Sequence, residues 1–244
     1  MPVRRVGTWK DALRRGVDAA VARLLPGGSS LVPVLAQVDG YLDPHEAVFL
    51  YHVALEGAGS GEVVEIGSFR GRSTLCLALG LRRRGEGRVR AIDPHVYGTA
   101  AELRENVDHF GLGGWIELEV TTSVEAASRS RRPVRLVFID GNHSLESVAA
   151  DVAAWLPQLE AGGFLLLHDS AEWSPFHGPR QVASELLRTG GTFDRVGRIG
   201  SITWGRRRGG SGDYRPPEYG RRLLDPLLRA RRGGAGGAPV QEGR

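Results

Sequence analysis

Apolar residues along the chain follow two alternating rhythms. Short apolar runs end at Ile66, Asp93, Val120, Asp140 and His168. They predict strands over Glu62–Ile66, Val89–Asp93, Trp115–Val120, Val134–Asp140 and Phe164–His168. Between them, apolar positions recur every three to four residues over Ser73–Arg84, Ala100–Phe110, Val124–Arg129 and Ser144–Leu159, which predicts helices. Strands alternating with helices build a parallel sheet covered on both faces. Leu136-Val137-Phe138-Ile139 is apolar without alternation, as a doubly covered central strand requires. Another helix is expected over Gln181–Arg188. Phe193–Val196 and Ser201–Trp204 then flank a glycine-containing turn, a hairpin signal. The expected fold is α/β: a doubly wound, mostly parallel sheet with an antiparallel C-terminal hairpin strand.

Upstream, Trp9, Leu13, Val17, Ala20, Val21 and Leu24 stand at helical spacing over residues 8–25, and Pro26-Gly27-Gly28 ends that helix. Docking on the domain, or on a partner subunit of a homo-oligomer, is the expected use of its apolar face. Asp43-Pro44-His45-Glu46 opens a second helix, running to Gly57. Asp43 suits the N-cap, Pro44 the first helical position, and Glu46 stands three residues after the cap. After Trp204 the composition shifts to Gly, Arg and Pro, with one short helical pattern at Tyr219–Leu228. The expected organisation is an N-terminal helical segment (1–40), one domain (41–205) and a largely disordered tail (206–244).

The 244 residues, 41% of them hydrophobic, suffice for one large domain. No apolar run reaches the about 18 residues a membrane span needs, and no apolar core follows the basic start. A cytoplasmic location is expected. The single Cys76 allows no internal disulfide and no cysteine zinc cluster, and its apolar helical run predicts a buried thiol. The pI of about 9.7 suggests nucleic acid until its distribution is read. From Arg206 to Arg244 there are ten Arg against four acidic residues, more than the whole chain's +4. The basicity belongs to the tail, so neither nucleic acid nor a membrane is the expected partner.

Candidate chemistry begins at Val63-Val64-Glu65-Ile66-Gly67-Ser68-Phe69-Arg70-Gly71-Arg72-Ser73-Thr74, between the first strand and its helix. Glycines there let the backbone turn sharply and approach a ligand closely, and the helix start offers free N–H groups. Dinucleotide sites use the same logic but need Gly-x-Gly-x-x-Gly. Here Glu65 stands at the first glycine position. A carboxylate repels a pyrophosphate and suits a cationic ligand such as S-adenosylmethionine. Asp93, ending the next strand, suits a pair of ribose hydroxyls. Ser123, in Thr121-Thr122-Ser123, suits either an adenine edge or a helix cap. An incidental strand–turn–helix connection with no ligand remains an alternative for the loop, and an NAD-binding oxidoreductase or a non-catalytic partner subunit of the same fold for the chain.

Four segments occur in order: Glu65-Ile-Gly-Ser-Phe-Arg-Gly-Arg-Ser-Thr74, Ala91-Ile-Asp-Pro-His95, Phe138-Ile-Asp-Gly-Asn-His-Ser144 and Gly162-Gly-Phe-Leu-Leu-Leu-His-Asp169. Together they resemble the class I S-adenosylmethionine-dependent methyltransferases, of the group that includes bacterial tailoring (sugar) O-methyltransferases and cephalosporin-hydroxylase-like proteins. The resemblance spans about Tyr41 to Trp204. It implies a Rossmann-like domain that methylates a small-molecule acceptor, most simply a hydroxyl, in antibiotic or other secondary metabolism or on a sugar. It further implies that Glu65, Gly67 and Gly71, with Ser68 and Ser73 between and beside them, form the cofactor loop. Asp93 then holds the ribose, and Asp140 ends the fourth strand over the methyl donor. Sugar O-methyltransferases of this kind often hold magnesium through acids at positions like Asp140 and Asp169. Their usual pair of adjacent acids is replaced here by His168-Asp169.

Asp140, His143, His168 and Asp169 all fall at or just past strand ends, where open α/β sheets bind ligands. Methyl transfer to a hydroxyl needs alignment and a proton acceptor. His143 and His168 are the candidate bases, with Asp169 to orient either. Asp140, His168 and Asp169 are the candidate ligands for Mg²⁺ or Mn²⁺; an imidazole among them favours manganese, iron or zinc over magnesium. His143 as a cap for the helix at Ser144, and His168 as a strand-end residue satisfied locally, are the competing uses. Trp173, Phe176 and His177, in the long connection after the fifth strand, are expected to wall the acceptor pocket.

Overall fold

The computed structural model describes residues 18, 19, 22, 23, 28–57, 59–188 and 191–209. The N-terminal helix expected over 8–25 and the tail beyond residue 209 lie mostly outside the described residues.

The apolar runs form the strands β1 (Glu62–Ile66), β2 (Val89–Ile92), β3 (Ile116–Glu119), β4 (Val134–Ile139) and β5 (Leu159–Leu167). A hairpin, β6 (Phe193–Ile199) and β7 (Ile202–Arg207), follows. They make one sheet in the order β3-β2-β1-β4-β5-β7-β6. β1 to β5 pair in parallel, and β7 joins β5 antiparallel. β1 to β3 run to one side and β4 and β5 to the other, so the order reverses between β1 and β4. That switch point opens a crevice at the strands' carboxyl ends.

Helices α1 (Val32–Gln37), α2 (Pro44–Glu56), α3 (Arg72–Arg84), α4 (Ala100–His109), α5 (Ser123–Arg129), α6 (Leu145–Trp155) and α7 (His177–Val182) cover the sheet. Alternation along each strand feeds two cores. Leu136 and Phe138 pack under α2 and α3, and Val137 and Ile139 pack under α5 and α6. Fully burying each such side chain contributes about 1.5–3 kcal/mol. α2 starts as its sequence dictates: Asp43 accepts from His45 N and Glu46 N, and Glu46 reaches back to Asp43 N.

Three elements differ from the sequence pattern. The helix expected to Leu159 stops at Trp155, because Pro157 lacks the N–H a helix interior needs. The chain makes a 3₁₀ turn there and enters β5 five residues earlier than expected. Residues 28–40 carry no predicted element. Yet they form a 3₁₀ turn (Gly28–Leu31) and α1, and bury Leu31, Val34, Leu35 and Val38 in the domain core. Arg72 explains their docking: its guanidinium donates to Leu35 O, Val38 O and Leu42 O, and pairs with Asp18. The helix expected at Gln181 begins at His177 and continues as a π-helical turn, Ala183–Arg188.

Candidate active site

The loop from Ile66 to Arg72 is shaped by glycines that no other residue replaces cheaply. Gly67 has φ 87°, and a Cβ there would stand 2.2 Å from the Asp140 carbonyl oxygen. This is where β1 and β4 part. Gly71, at φ 91°, is the N-cap of α3. The positive-φ residues other than glycine, among those described, are Phe69, His95 and Asp169. Each follows the carboxyl end of a strand, so backbone strain gathers at the crevice.

Glu65 is wholly buried under this loop. Its Oε2 accepts from Thr74 Oγ1, while Oε1 has no partner. Burial pushes its pKa up to about 8; hydrogen bonds from Ser73 and Thr74 oppose this, and the charges of Asp140 and Asp93 add to it. Ser68 is also buried and its Oγ has no partner. Asp93 ties the loop down: Oδ2 accepts from Ser68 N (3.0 Å) and Phe69 N (2.9 Å), and Oδ1 from His95 N (2.6 Å). Ser123 departs from its expected place. It is buried, and its hydroxyl accepts from Trp155 Nε1 at 2.9 Å, a contact inside the helical layer. Thr122 supplies the cap of α5 instead.

At the ends of β4 and β5, Asp140, His143, His168 and Asp169 lie close together, as their strand-end positions suggest. Asp140, His143 and Asp169 offer ligand atoms all within 4.8 Å of one another. His143 Nε2 lies 3.3 Å from Asp169 Oδ2 and 3.8 Å from Asp140 Oδ1. These carboxylates raise its pKa to about 9. Its ring stacks on Phe176, centroids 4.1 Å apart. His168, expected as a base or metal ligand, is only 3% exposed, with both ring nitrogens engaged. Nδ1 faces Asp140 Oδ1 at 2.9 Å and Nε2 faces Glu46 Oε2 at 3.2 Å. Burial opposes its charge, but the two carboxylates outweigh burial and hold its pKa well above the ordinary value. The geometry therefore puts His143, not His168, with Asp140 and Asp169 at the accessible cluster. His168 stands behind as a buried bridge.

Residues 64–170 match the family model of a methyltransferase domain. That span resembles a methyltransferase domain. The chain's fold is similar to that of solved methyltransferases at low identity. Cofactor-bound Rv0187 from MTB is 20% identical (TM-score 0.63), the match covering 81% of this chain and 98% of that one. The O-methyltransferase TomG from Streptomyces achromogenes, involved in tomaymycin synthesis and solved with SAM, is 16% identical (TM-score 0.58; 83% and 100% covered). An O-methyltransferase from Bacillus cereus, solved with SAH, is 20% identical (TM-score 0.57; 80% and 99% covered). At such identities the likeness is one of fold.

Around the crevice, Tyr97 and Trp173 are exposed on strand-end loops, and Tyr41, exposed between α1 and α2, lies near Phe69, ring centroids 6.5 Å apart. A cavity of about 530 Å³ opens beside α7 and the β6–β7 hairpin, lined in part by Ser170, His177, Arg180, Arg198 and Thr203; Asp140, His143 and Asp169 do not line it. Ser170 follows Asp169, and His177 follows Phe176. No helix among the described residues is long and apolar enough to cross a membrane. Two contributors were missed in the sequence. Glu46 reads there only as a capping residue, and Ser201 only as part of a hairpin. Both meet this cluster through contacts more than 30 residues apart.

Proposed function

We propose that this protein transfers the methyl group of S-adenosylmethionine to a hydroxyl of a small-molecule acceptor. One observation carries the reading: Glu65, buried beneath a glycine loop at the switch point, has a carboxylate oxygen without a partner. A buried carboxyl with no counter-charge is costly, and a cationic ligand removes that cost. The methyl donor supplies an activated methyl on a sulfonium and carries an ammonium group. Glu65 Oε1 and Ser68 Oγ are among the buried unsatisfied groups of the described residues and could serve it, the Gly67–Gly71 backbone allows close approach, and Asp93 holds that backbone in place. The fold shared with TomG and the Bacillus cereus enzyme, solved with SAM and SAH, supports the same cofactor.

At the acceptor end, Asp140, His143 and Asp169 converge on one point. Two carboxylates and an imidazole fit a divalent cation such as Mn²⁺, which when bound would acidify an acceptor hydroxyl. The chain's own contribution is positional. Phe176 fixes the plane of His143, and His168 fixes Asp140. A hydroxylated secondary metabolite or a sugar is the acceptor class we favour, handled in the cytoplasm. The Arg-rich stretch lies away from the crevice in sequence, so nucleic acid is not the partner we favour.

Calorimetric titration of the purified protein with S-adenosylmethionine, beside Glu65→Ala, tests the reading. Micromolar binding that the variant loses is the expected result. No binding by the intact protein, with its fold confirmed by circular dichroism, would sink it.

A further inference from the structure

Glu46 is a buried carboxylate that neither cofactor nor acceptor uses in the reading above. It lies on α2, outside the matched span, and is 3% exposed. Helix capping accounts for only one of its bonds, from Asp43 N to Oε2 at 3.0 Å. Oε2 also faces His168 Nε2 at 3.2 Å. Oε1 accepts from Ser201 N at 2.6 Å and Ser201 Oγ at 2.8 Å. The β6–β7 turn closes tightly on it: a Cβ on Gly200, at φ 57°, would stand 2.5 Å from Glu46 Oε1.

Each arm ends at one acid of the cluster. His168, held by Glu46, donates through Nδ1 to Asp140 Oδ1 at 2.9 Å, with Asp169 Oδ2 3.6 Å away. Ser201 Oγ, held by the other oxygen of Glu46, accepts from Asp169 N at 3.3 Å. Asp169 sits at φ 52°, a conformation that persists only where surrounding contacts fix it. One carboxylate thus reaches both acids, each through a single intervening group.

We propose that Glu46 is a positioning residue that sets Asp140 and Asp169, through His168 and Ser201, to share one divalent cation. The proposal rests on the reading of Asp140, His143 and Asp169 as a cation-holding cluster. Groups that hydrogen-bond a metal's ligands fix their orientation, and their loss costs roughly 10–100-fold in metal affinity. The two arms are separable. Glu46→Gln removes the carboxylate charge that faces His168 Nε2, which loosens the arm to Asp140. Ser201→Ala removes only the hydroxyl that holds Asp169.

The test is a Mn²⁺ titration followed by electron paramagnetic resonance, on full-length wild type, Glu46→Gln and Ser201→Ala. S-adenosylhomocysteine binding is measured alongside by calorimetry. In folded variants we expect Mn²⁺ affinity to fall by about tenfold or more for Glu46→Gln and by less for Ser201→Ala, with S-adenosylhomocysteine affinity unchanged. Unchanged Mn²⁺ affinity in both variants, or a wild type that takes up no Mn²⁺, would overturn the proposal. If Glu46→Gln does not fold, Ser201→Ala alone decides it. A wild type that binds Mn²⁺ but no S-adenosylhomocysteine would overturn the cofactor reading and leave this one standing.

Discussion

Glu65 and Asp140 stand at the carboxyl ends of neighbouring strands, yet the fold treats their charges in opposite ways. Glu65 receives only neutral help, from Thr74 and Ser73, and burial pushes its pKa up to about 8. Asp140 is also penalised by its surroundings, but His168 and His143 hold it below the ordinary carboxylate range. The first position lacks a cation and the second has one built in. The β1 side of the crevice thus holds a buried carboxyl without a counter-charge. On the β4–β5 side, an internal imidazolium keeps acids ionised and in place.

The largest expected effect comes from breaking the internally balanced side. His168→Gln removes the imidazolium that separates Glu46 from Asp140, leaving Glu46 buried without a counter-charge. Stripping one partner from a buried ion pair costs about 3–5 kcal/mol. Urea denaturation at neutral pH measures it. A loss below about 1 kcal/mol, the scale of an ordinary hydrogen bond, would mean that the bridge carries no net charge stabilisation.

Next in size is Gly67→Ala, which strikes the joint between the two sides. A methyl group there meets the Asp140 carbonyl oxygen, in a backbone conformation that alanine disfavours. We expect a loss of about 2–3 kcal/mol in the same denaturation experiment, together with loss of cofactor binding. Retained binding would mean that the loop tolerates a second conformation.

The difference between the two sides also explains what the sequence discloses. The loop side is local: Glu65, Gly67, Gly71 and Thr74 lie within ten residues, so their spacing alone suggests a cradle. Asp93 is legible as a strand-end acid, although its present partners are the loop's own N–H groups. The opposite side is assembled over distance. Asp140, His143 and Asp169 are legible as strand-end residues. The burial of His168 behind the more accessible His143 is not, because it depends on Glu46 arriving from α2. A capping pattern at Asp43–Glu46 says nothing about which way Glu46 turns. The strand order is likewise foreseeable from alternation. The docked segment 28–38 is not, because it is held by Arg72 across more than 30 positions.

The smallest effect is the most specific, because it reads the uncompensated charge of Glu65 directly. With its folded pKa near 8 and an ordinary value of 4.5, the free protein keeps a proton that the unfolded chain has lost between those limits. Glu65 therefore contributes stability below about pH 4.5 that is lost as pH rises through about 8, and Glu65→Gln should flatten that loss. A cation bound beside Glu65 favours the ionised form, so binding near pH 7 must release a proton. Affinity for S-adenosylmethionine should then rise with pH, by at most about tenfold per unit, and level off above about 8. Calorimetry at pH 7 in two buffers of different ionisation enthalpy counts the proton: close to one in the wild type and none in Glu65→Gln. Proton release that persists in the variant would move the cation's partner elsewhere in the crevice. Binding without release would mean that Glu65 stays neutral, holding the ligand by a hydrogen bond alone.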